Sequence, residues 1–332
     1  MKVLVTGATG YLGGRVAERL AEAGHEVRGL VRDPARWVRR PDGAEAVVGD
    51  VTDVAAVAKA AEGCGAVVHA AALVKSWVRD RGEFDRVNLG GFRNATQGAR
   101  AAGAKLVYAS SFIALGPTDG TIFDEETPRA SARFHNDYER TKWVADQAAR
   151  SLARDGFPIV RLYPGVVYGP GELTDGNHVV RLLLQHARGR LPGYLGRGDL
   201  RQCFAYVDDV ATGFVAAVER AAPGSGYILG GENRTARELF AALEDATGIV
   251  PPRRSVPFWV AGVIGKLERW RAEITSMPPE LTDEIVGVYR HEWAYSSAKA
   301  ERDLGYRITP LREGIARTAA WLRETGELPG SR

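Results

Sequence analysis

The chain has 332 residues, 45% of them apolar and 26% charged, with a formal net charge of +3. That length exceeds one ordinary domain, so one large domain or two unequal ones are expected, and the balance excludes a disordered chain. No run of five or six like charges occurs, which argues against a nucleic-acid-binding arm. Cys64 and Cys203 form no C-x-x-C pair and read as small buried hydrophobes of a reducing compartment. The histidines never fall at H-x-x-x-H spacing, so no metal is expected. The longest apolar stretch, residues 256–265, is half of what a membrane span needs, and the amino terminus lacks a signal-peptide core. The expectation is a cytoplasmic protein with a small-molecule substrate and neither nucleic-acid nor membrane partners.

In chain order, strand-like runs at Lys2–Val5, Val27–Val31, Ala46–Val48, Ala66–Ala70, Lys105–Ala109 and Pro158–Leu162 alternate with helical patterns. The helices are expected at Leu12–Ala23, Val54–Glu62, Phe84–Ala102 and Tyr138–Arg154. Val, Leu and Ile fill the strands with little alternation, as in strands buried on both faces. Strands alternating with helices predict an α/β fold with a doubly wound parallel sheet. After about Pro170 the rhythm changes and tryptophans become frequent, which predicts a smaller, mostly helical lobe. The expected division is residues 1–169 for the sheet domain and 170–332 mainly for the lobe, with 203–230 returning to the sheet.

Two motifs carry chemistry. VTGATGYLGG (5–14) puts Gly7, Gly10 and Gly13 between the first strand and the first helix. Glycines there allow a tight turn, approach of a pyrophosphate, and close helix–strand packing, while the helix amino terminus offers N–H groups to phosphate. YERTK (138–142) sets Tyr138 and Lys142 four apart on one helix face. A phenol can protonate the alkoxide left by hydride transfer, and a neighbouring ammonium favours the phenolate.

The spacing G-x-x-G-x-x-G with the downstream Y-x-x-x-K resembles the extended branch of the short-chain dehydrogenase/reductase superfamily. The resemblance covers nearly the whole chain. It implies a Rossmann-type sheet, and it implies dinucleotide contacts from Gly7, Gly10, Tyr11, Leu12 and Gly13. It places the adenosine ribose at the end of the second strand, where LVRDP offers Arg32 and then Asp33. An arginine pairs with a 2′-phosphate, so NADP(H) is favoured, while Asp33 leaves NAD(H) open. GDVTD (49–53) resembles the adenine loop, through Asp50 and Val51. VVHAAALV (67–74) resembles the turn that passes the pyrophosphate and ribose along Ala70, Ala71 and Ala72, with His69 read as structural. RLYPGVVYGPGE (161–172) resembles the segment lining the nicotinamide, where Pro164 presents backbone.

By the same resemblance Ser111 polarises the substrate oxygen, Tyr138 is the proton donor, and Lys142 tunes it and holds the nicotinamide ribose. Ser110 reads as a loop or cofactor neighbour. Asn88, in RVNLGG, matches a helix asparagine that orients the site, with an ordinary helix asparagine as the other reading. Dehydratases of this superfamily carry an acidic pair directly after the catalytic hydroxyl, where this chain has Phe112 and Ile113. Epimerases grip a diphosphate with an arginine where this chain has Gln202, with Arg201 and Arg197 close by. An uncharged pocket around Phe112, Ile113, Tyr163 and the lobe tryptophans is therefore expected. The stretches YILGGENRTARELFAALEDATG (227–248) and SSAKAERDLGYRITPLREGI (296–315) look like the dihydroflavonol 4-reductase-like and hopanoid-associated sugar epimerase groups.

Three functions follow: a ketone or secondary-alcohol oxidoreductase, a sugar epimerase working through a transient ketone with bound NAD, and a non-catalytic dinucleotide sensor. VPFWVAGVIG (256–265) reads as a core helix of the lobe, with an apolar lid or a membrane-surface patch as the other readings. Relatives pair through helices matching 84–102 and 138–154, so a homodimer through those helices is a further expectation.

Overall fold

The computed structural model describes residues 1–131 and 133–328. The chain opens β1 (Lys2–Thr6), α1 (Tyr11–Glu22), β2 (Glu26–Val31), β3 (Glu45–Val48), α2 (Val54–Ala61) and β4 (Ala66–His69). Then come α3 (Gly82–Phe84), a π turn at Asp85–Gly90, α4 (Gly91–Ala101), β5 (Lys105–Ala109), α5 (Asp137–Arg154) and β6 (Ile159–Pro164). The later elements begin β7 (Val166–Tyr168), α6 (His178–Ala187), β8 (Tyr194–Leu195), β9 (Arg201–Tyr206), α7 (Val207–Arg220) and β10 (Gly226–Leu229). They continue with β11 (Glu232–Thr235), α8 (Ala236–Thr247), β12 (Ser255–Val256) and α9 (Phe258–Thr275). The last are α10 (Asp283–Tyr289), α11 (Ala298–Leu304) and α12 (Leu311–Glu324).

Seven strands form one parallel sheet in the order β10-β6-β5-β4-β1-β2-β3. Alternate side chains leave a strand on opposite faces, so a two-faced sheet needs apolar residues at every position. Val3, Val5, Val68, Val107 and Val160 point to the face covered by α1 and α7. Leu4, Val67, Leu106, Tyr108 and Ile159 point to the face covered by α2, α4 and α5. The chain moves outward from β1 to β3 and then restarts at β4 on β1's other side. The strand ends at β1 and β4 therefore form the switch-point crevice where such sheets bind ligands.

Beside the parallel sheet, a three-stranded sheet of order β11-β9-β7 and a short β12–β8 pair pack with the helices of the lobe. Its core gathers Val180, Leu183, Phe240, Leu243 and Ile315 from α6, α8 and α12. Three expectations change. The helix foreseen at Phe84–Ala102 is interrupted by the π turn, which turns the buried Asn88 toward the strand ends. Tyr163 is fully buried beside Cys203, Ile228 and Trp293, so it belongs to the core rather than to a pocket wall as expected. Residues 256–265 are not a core helix: in α9 only Ala261, Gly265 and Ala272 are buried.

Candidate functional site

The three glycines of the first turn do different work. Gly7 adopts φ +76°, and a Cβ there would lie 2.8 Å from the Ala71 backbone nitrogen. A Cβ on Gly13 would sit 2.2 Å from the Gly7 carbonyl oxygen. Both positions press the loop against the β4 turn and α1. Gly10, by contrast, would meet only the Gly7 oxygen, at 3.2 Å, and leaves its outer side open. It starts α1 with no side-chain cap and no acidic residue in the first turn. α2 and α5, in contrast, are capped by Asp53 and Asn136. An uncapped helix start behind an open glycine fits the pyrophosphate of a dinucleotide. We expect Gly13→Ala to lower stability by roughly 1–3 kcal/mol and to weaken dinucleotide binding, because backbone cannot yield to the added methyl; thermal melting and cofactor titration read both.

Tyr11 contributes backbone at this turn, because its ring packs under the 169–171 loop and its hydroxyl donates to Gly169 O at 3.1 Å. Leu12 packs into the core beneath. At the end of β2, Arg32 is largely exposed, with Nε 3.9 Å from an Asp50 oxygen. Asp33 turns back to accept from Ala35 N at 3.0 Å. Asp50 accepts from Thr52 N and Thr52 Oγ1, both at 2.8 Å, and the Val51 carbonyl is held by Asn94 at 2.9 Å. Along the β4 turn, Thr6 Oγ1 accepts from Ala71 N at 3.3 Å and meets His69 Nδ1 at 2.9 Å. His69 is buried, and burial together with the Lys142 charge holds its pKa down to about 3. It is a neutral structural residue, and Ala70, Ala71 and Ala72 stay half-buried beside it.

Ser111 follows β5 and caps a short turn, its Oγ accepting from Ile113 N at 3.4 Å. Its hydroxyl also faces the Tyr138 phenol and favours the ionised form. Burial dominates there and pushes Tyr138 up to about 12. One turn further along α5, the buried Lys142 donates to Ala109 O at 2.7 Å, with its ammonium 5.9 Å from the Tyr138 ring centre. Desolvation lowers the Lys142 pKa to about 7. Ser111, Tyr138 and Lys142 thus converge at the carboxyl end of β5. Pro164 ends β6 nearby, buried and paired with Leu229.

Asn88 does not face this cluster. Its Oδ1 accepts from Leu73 N at 2.7 Å, and its Nδ2 donates to Thr141 Oγ1 at 3.0 Å and to Leu73 O at 3.3 Å. It fastens the β4 turn to the α5 turn that carries Tyr138 and Lys142. Ser110 points away, to Asp146 at 3.4 Å, and Asp146 holds Arg150, which donates to Tyr163 Oη at 3.0 Å. The two serines are separated: one faces the cluster and the other the core.

A cleft of about 280 Å³ opens beside Asp137, between Trp77, Val78 and Phe84 on one side and Arg269, Thr282 and Glu284 of the lobe on the other. Arg81 straps it, with Nε 2.6 Å from Asp137 and a terminal nitrogen 2.8 Å from Glu284. Phe112 stands edge-on to Trp293, with ring centres 5.5 Å apart. Sequence reasoning did not find this cleft: residues 74–81 carry no periodicity, and their partners lie about two hundred positions away. At the foreseen diphosphate position, Arg201 is tied to Glu292 through two hydrogen bonds of 3.0 and 2.9 Å. Gln202 is buried and donates to His291 O at 3.3 Å. Both are engaged within the protein, whereas Arg197, with Nε 3.1 Å from Asp199, is largely exposed.

Comparison with known proteins gives a consistent picture. The model of the NAD dependent epimerase/dehydratase family matches residues 3–230. A protein of Synechocystis sp., provisionally named dihydroflavonol 4-reductase, is 30% identical over 97% of this chain and 94% of its own length. The 2-alkyl-3-oxoalkanoate reductase of Stenotrophomonas maltophilia is 32% identical over 96% of this chain and 99% of its own. The crystal structure of gox2253 superposes with a TM-score of 0.83 at 32% identity, covering 98% of this chain and 99% of that one.

Proposed function

The chain belongs to the NAD dependent epimerase/dehydratase family of NAD(P)-dependent enzymes, and from that premise we propose that it is an NADPH-dependent reductase of a ketone on a small, apolar or aromatic substrate. The observation that carries this reading is the convergence of Ser111, Tyr138 and Lys142 next to Phe112 and Ile113, with no acidic pair after the hydroxyl. A bound reduced nicotinamide supplies the hydride to the carbonyl carbon. Ser111 Oγ–H holds the carbonyl oxygen as negative charge develops on it. Tyr138 Oη gives its proton to that oxygen, and the resulting phenolate is stabilised by the Lys142 ammonium. Solvent returns the proton to Tyr138 at the end of the cycle.

The apolar substrate class is supported by Phe112 beside the cluster; the cleft beside Asp137 is not the uncharged pocket expected from the sequence, since it sets Trp77, Val78 and Phe84 against Arg79, Arg81, Asp137, Arg269, Glu273 and Glu284. The pairing of Arg201 with Glu292 speaks against a nucleotide sugar. The relative that reduces a 2-alkyl-3-oxoalkanoate points to a ketone bearing alkyl chains as a first test compound. In this reading residues 1–169 with 203–230 hold the cofactor and the remainder of 170–332 shapes the substrate side. The pair contact belongs to the exposed faces of α4 and α5.

The preference for NADPH rests on Arg32, exposed at the end of β2, while Asp33 is engaged in its own turn. Arg32→Ala is expected to weaken NADPH binding about tenfold or more and to leave NADH unchanged, since one lost charged pair with phosphate costs on the order of 1.5–3 kcal/mol. Titrating both cofactors by fluorescence checks this, and equal losses for both would remove the assignment. The reductase reading itself is tested by following reduced-nicotinamide oxidation with 2-alkyl-3-oxoalkanoates, flavanonols and steroid ketones, against nucleotide sugars. An epimerase would instead keep NAD bound and show no net oxidation.

A further inference from the structure

Glu139 follows Tyr138 in the first turn of α5, yet its carboxylate is fully buried and is bonded to segments outside the helix. A glutamate at this helical position ordinarily bonds back to the N–H of the capping residue, as Glu238 does with Thr235 at the start of α8. At the start of α5, Asn136 Oδ1 accepts from Glu139 N at 2.8 Å, but Glu139 does not return the bond. One of its oxygens accepts from His135 N at 2.8 Å and meets His135 Nδ1 at 3.0 Å. The other accepts from the guanidinium of Arg129, ten residues back. Burial by itself would raise the Glu139 pKa; the bonds from His135 and Arg129 outweigh it and hold the group below its ordinary value, as a carboxylate.

Capping the helix requires no arginine, and the other donors of Arg129 show what the second bond is for. Arg129 Nη1 donates to Ile113 O at 3.1 Å, Nε to Ser131 O at 2.6 Å, and Nη2 to Arg133 O at 2.9 Å. The guanidinium lies over the Phe134 ring, 4.8 Å from its centre, and only 8% of the side chain is exposed. Its stem is pressed on Gly116, where a Cβ would sit 2.8 Å from Arg129 Cγ. Ile113 is also the residue whose N–H is bonded to Ser111 Oγ. The turn that carries Ser111 is therefore held from behind by Arg129, and Arg129 is held by the neighbour of Tyr138.

From this closed circuit we infer that Glu139 is a positioning residue: through Arg129 it fixes the Ser111 turn against the start of α5 and so sets the separation of the Ser111 hydroxyl from the Tyr138 phenol. Neither Glu139 nor Arg129 touches the reacting atoms. The separation matters because one group must hold the carbonyl oxygen while the other protonates that same oxygen. The geometric part of the inference stands on the bonds alone, and its kinetic part rests on the reductase reading.

Two variants and two readouts test it. Glu139→Gln keeps the size of the side chain but turns an amide NH2 toward another donor, either His135 N–H or the guanidinium. Arg129→Met with Glu139→Met removes both buried charges together, a replacement that is often neutral or stabilising, so the doubly changed chain keeps its fold. Crystal structures without substrate should show the Ile113 carbonyl released and Ser111 Oγ moved from Tyr138 Oη by about 0.5 Å or more relative to wild type. Turnover at saturating NADPH should fall about tenfold or more, with NADPH affinity unchanged. In a Ser111→Ala background the same substitutions should cost less than about twofold, because the group they position is gone. A merely structural role would instead make activity follow melting temperature and carry its full cost into that background. That result would overturn the inference, as would an unmoved Ser111 in both variant structures. If the wild-type chain oxidises no NADPH with any ketone, the reductase reading falls, and the crystal structures alone decide whether Glu139 positions Ser111.

Discussion

Tyr138→Phe is expected to cut turnover by roughly 10²–10⁴-fold while NADPH binds as before. The substitution removes one oxygen and leaves the ring, which keeps its place on α5 above Lys142. What is lost is the proton donor for the alkoxide. Burial holds the Tyr138 phenol up at about 12 in the free protein, so near neutral pH it is protonated and ready to donate. The difficulty lies in the phenolate left behind, and the Lys142 ammonium must offset it. Stopped-flow turnover with separate NADPH titration distinguishes a lost chemical step from a lost binding site. Turnover within a few-fold of wild type would show that another group gives the proton.

Lys142→Met should abolish most activity and yet leave the fold as stable or more stable at neutral pH. Burial lowers the Lys142 pKa from 10.5 to about 7. Above about pH 10.5 the amine is neutral in both folded and unfolded chains and imposes no difference. As pH falls from there toward 7, the unfolded chain takes up a proton that the folded chain refuses, so stability declines; below about 7 both are protonated and the cost is constant. A shift of this size corresponds to a few kcal/mol, at ~1.4 kcal/mol per unit, whereas losing the hydrogen bond to Ala109 O costs only about 1 kcal/mol. The first effect wins, so the variant's melting temperature at pH 7 should equal or exceed that of wild type, with the advantage shrinking toward pH 10. A clearly lower melting temperature at pH 7 would show that the lysine is structural. Reduction by the wild-type chain should decline as pH rises through about 7, where the ammonium discharges.

Much of the fold was legible because a doubly wound sheet writes itself locally. Strands buried on both faces need unbroken Val, Leu and Ile, and six such runs lie within a residue or two of β1 to β6. The glycine-rich turn was legible as a tight turn because glycine is demanded by backbone contacts: Gly7 against Ala71, and Gly13 against Gly7. Tyr138 and Lys142 were legible because helical spacing brings them together without help from the rest of the chain.

What escaped depends on distant partners. Asn88 was visible as a residue but not as a clamp, since the π turn and its bonds to Leu73 and Thr141 join three separate elements. Tyr163 looked like a pocket residue, and only the Asp146–Arg150 pair shows that its hydroxyl faces inward. The core-helix reading of 256–265 failed because apolar residues alone do not say which face has a partner. α10 covers the small side chains of α9 and leaves the large ones outside. Ser110 and Ser111 show the same limit at its finest: adjacent hydroxyls point to opposite sides of the strand end, and only the neighbours distinguish them.

The most direct measurement is to react the purified protein with a 2-alkyl-3-oxoalkanoate and NADPH carrying deuterium at the transferable position, and to locate the label by mass spectrometry. One deuterium on the carbinol carbon of the product, absent with Tyr138→Phe, is the result predicted for hydride transfer to a ketone by Ser111, Tyr138 and Lys142. Unlabelled, unreduced substrate across the ketone panel, together with inversion of a nucleotide sugar by protein that retains NAD, would contradict it.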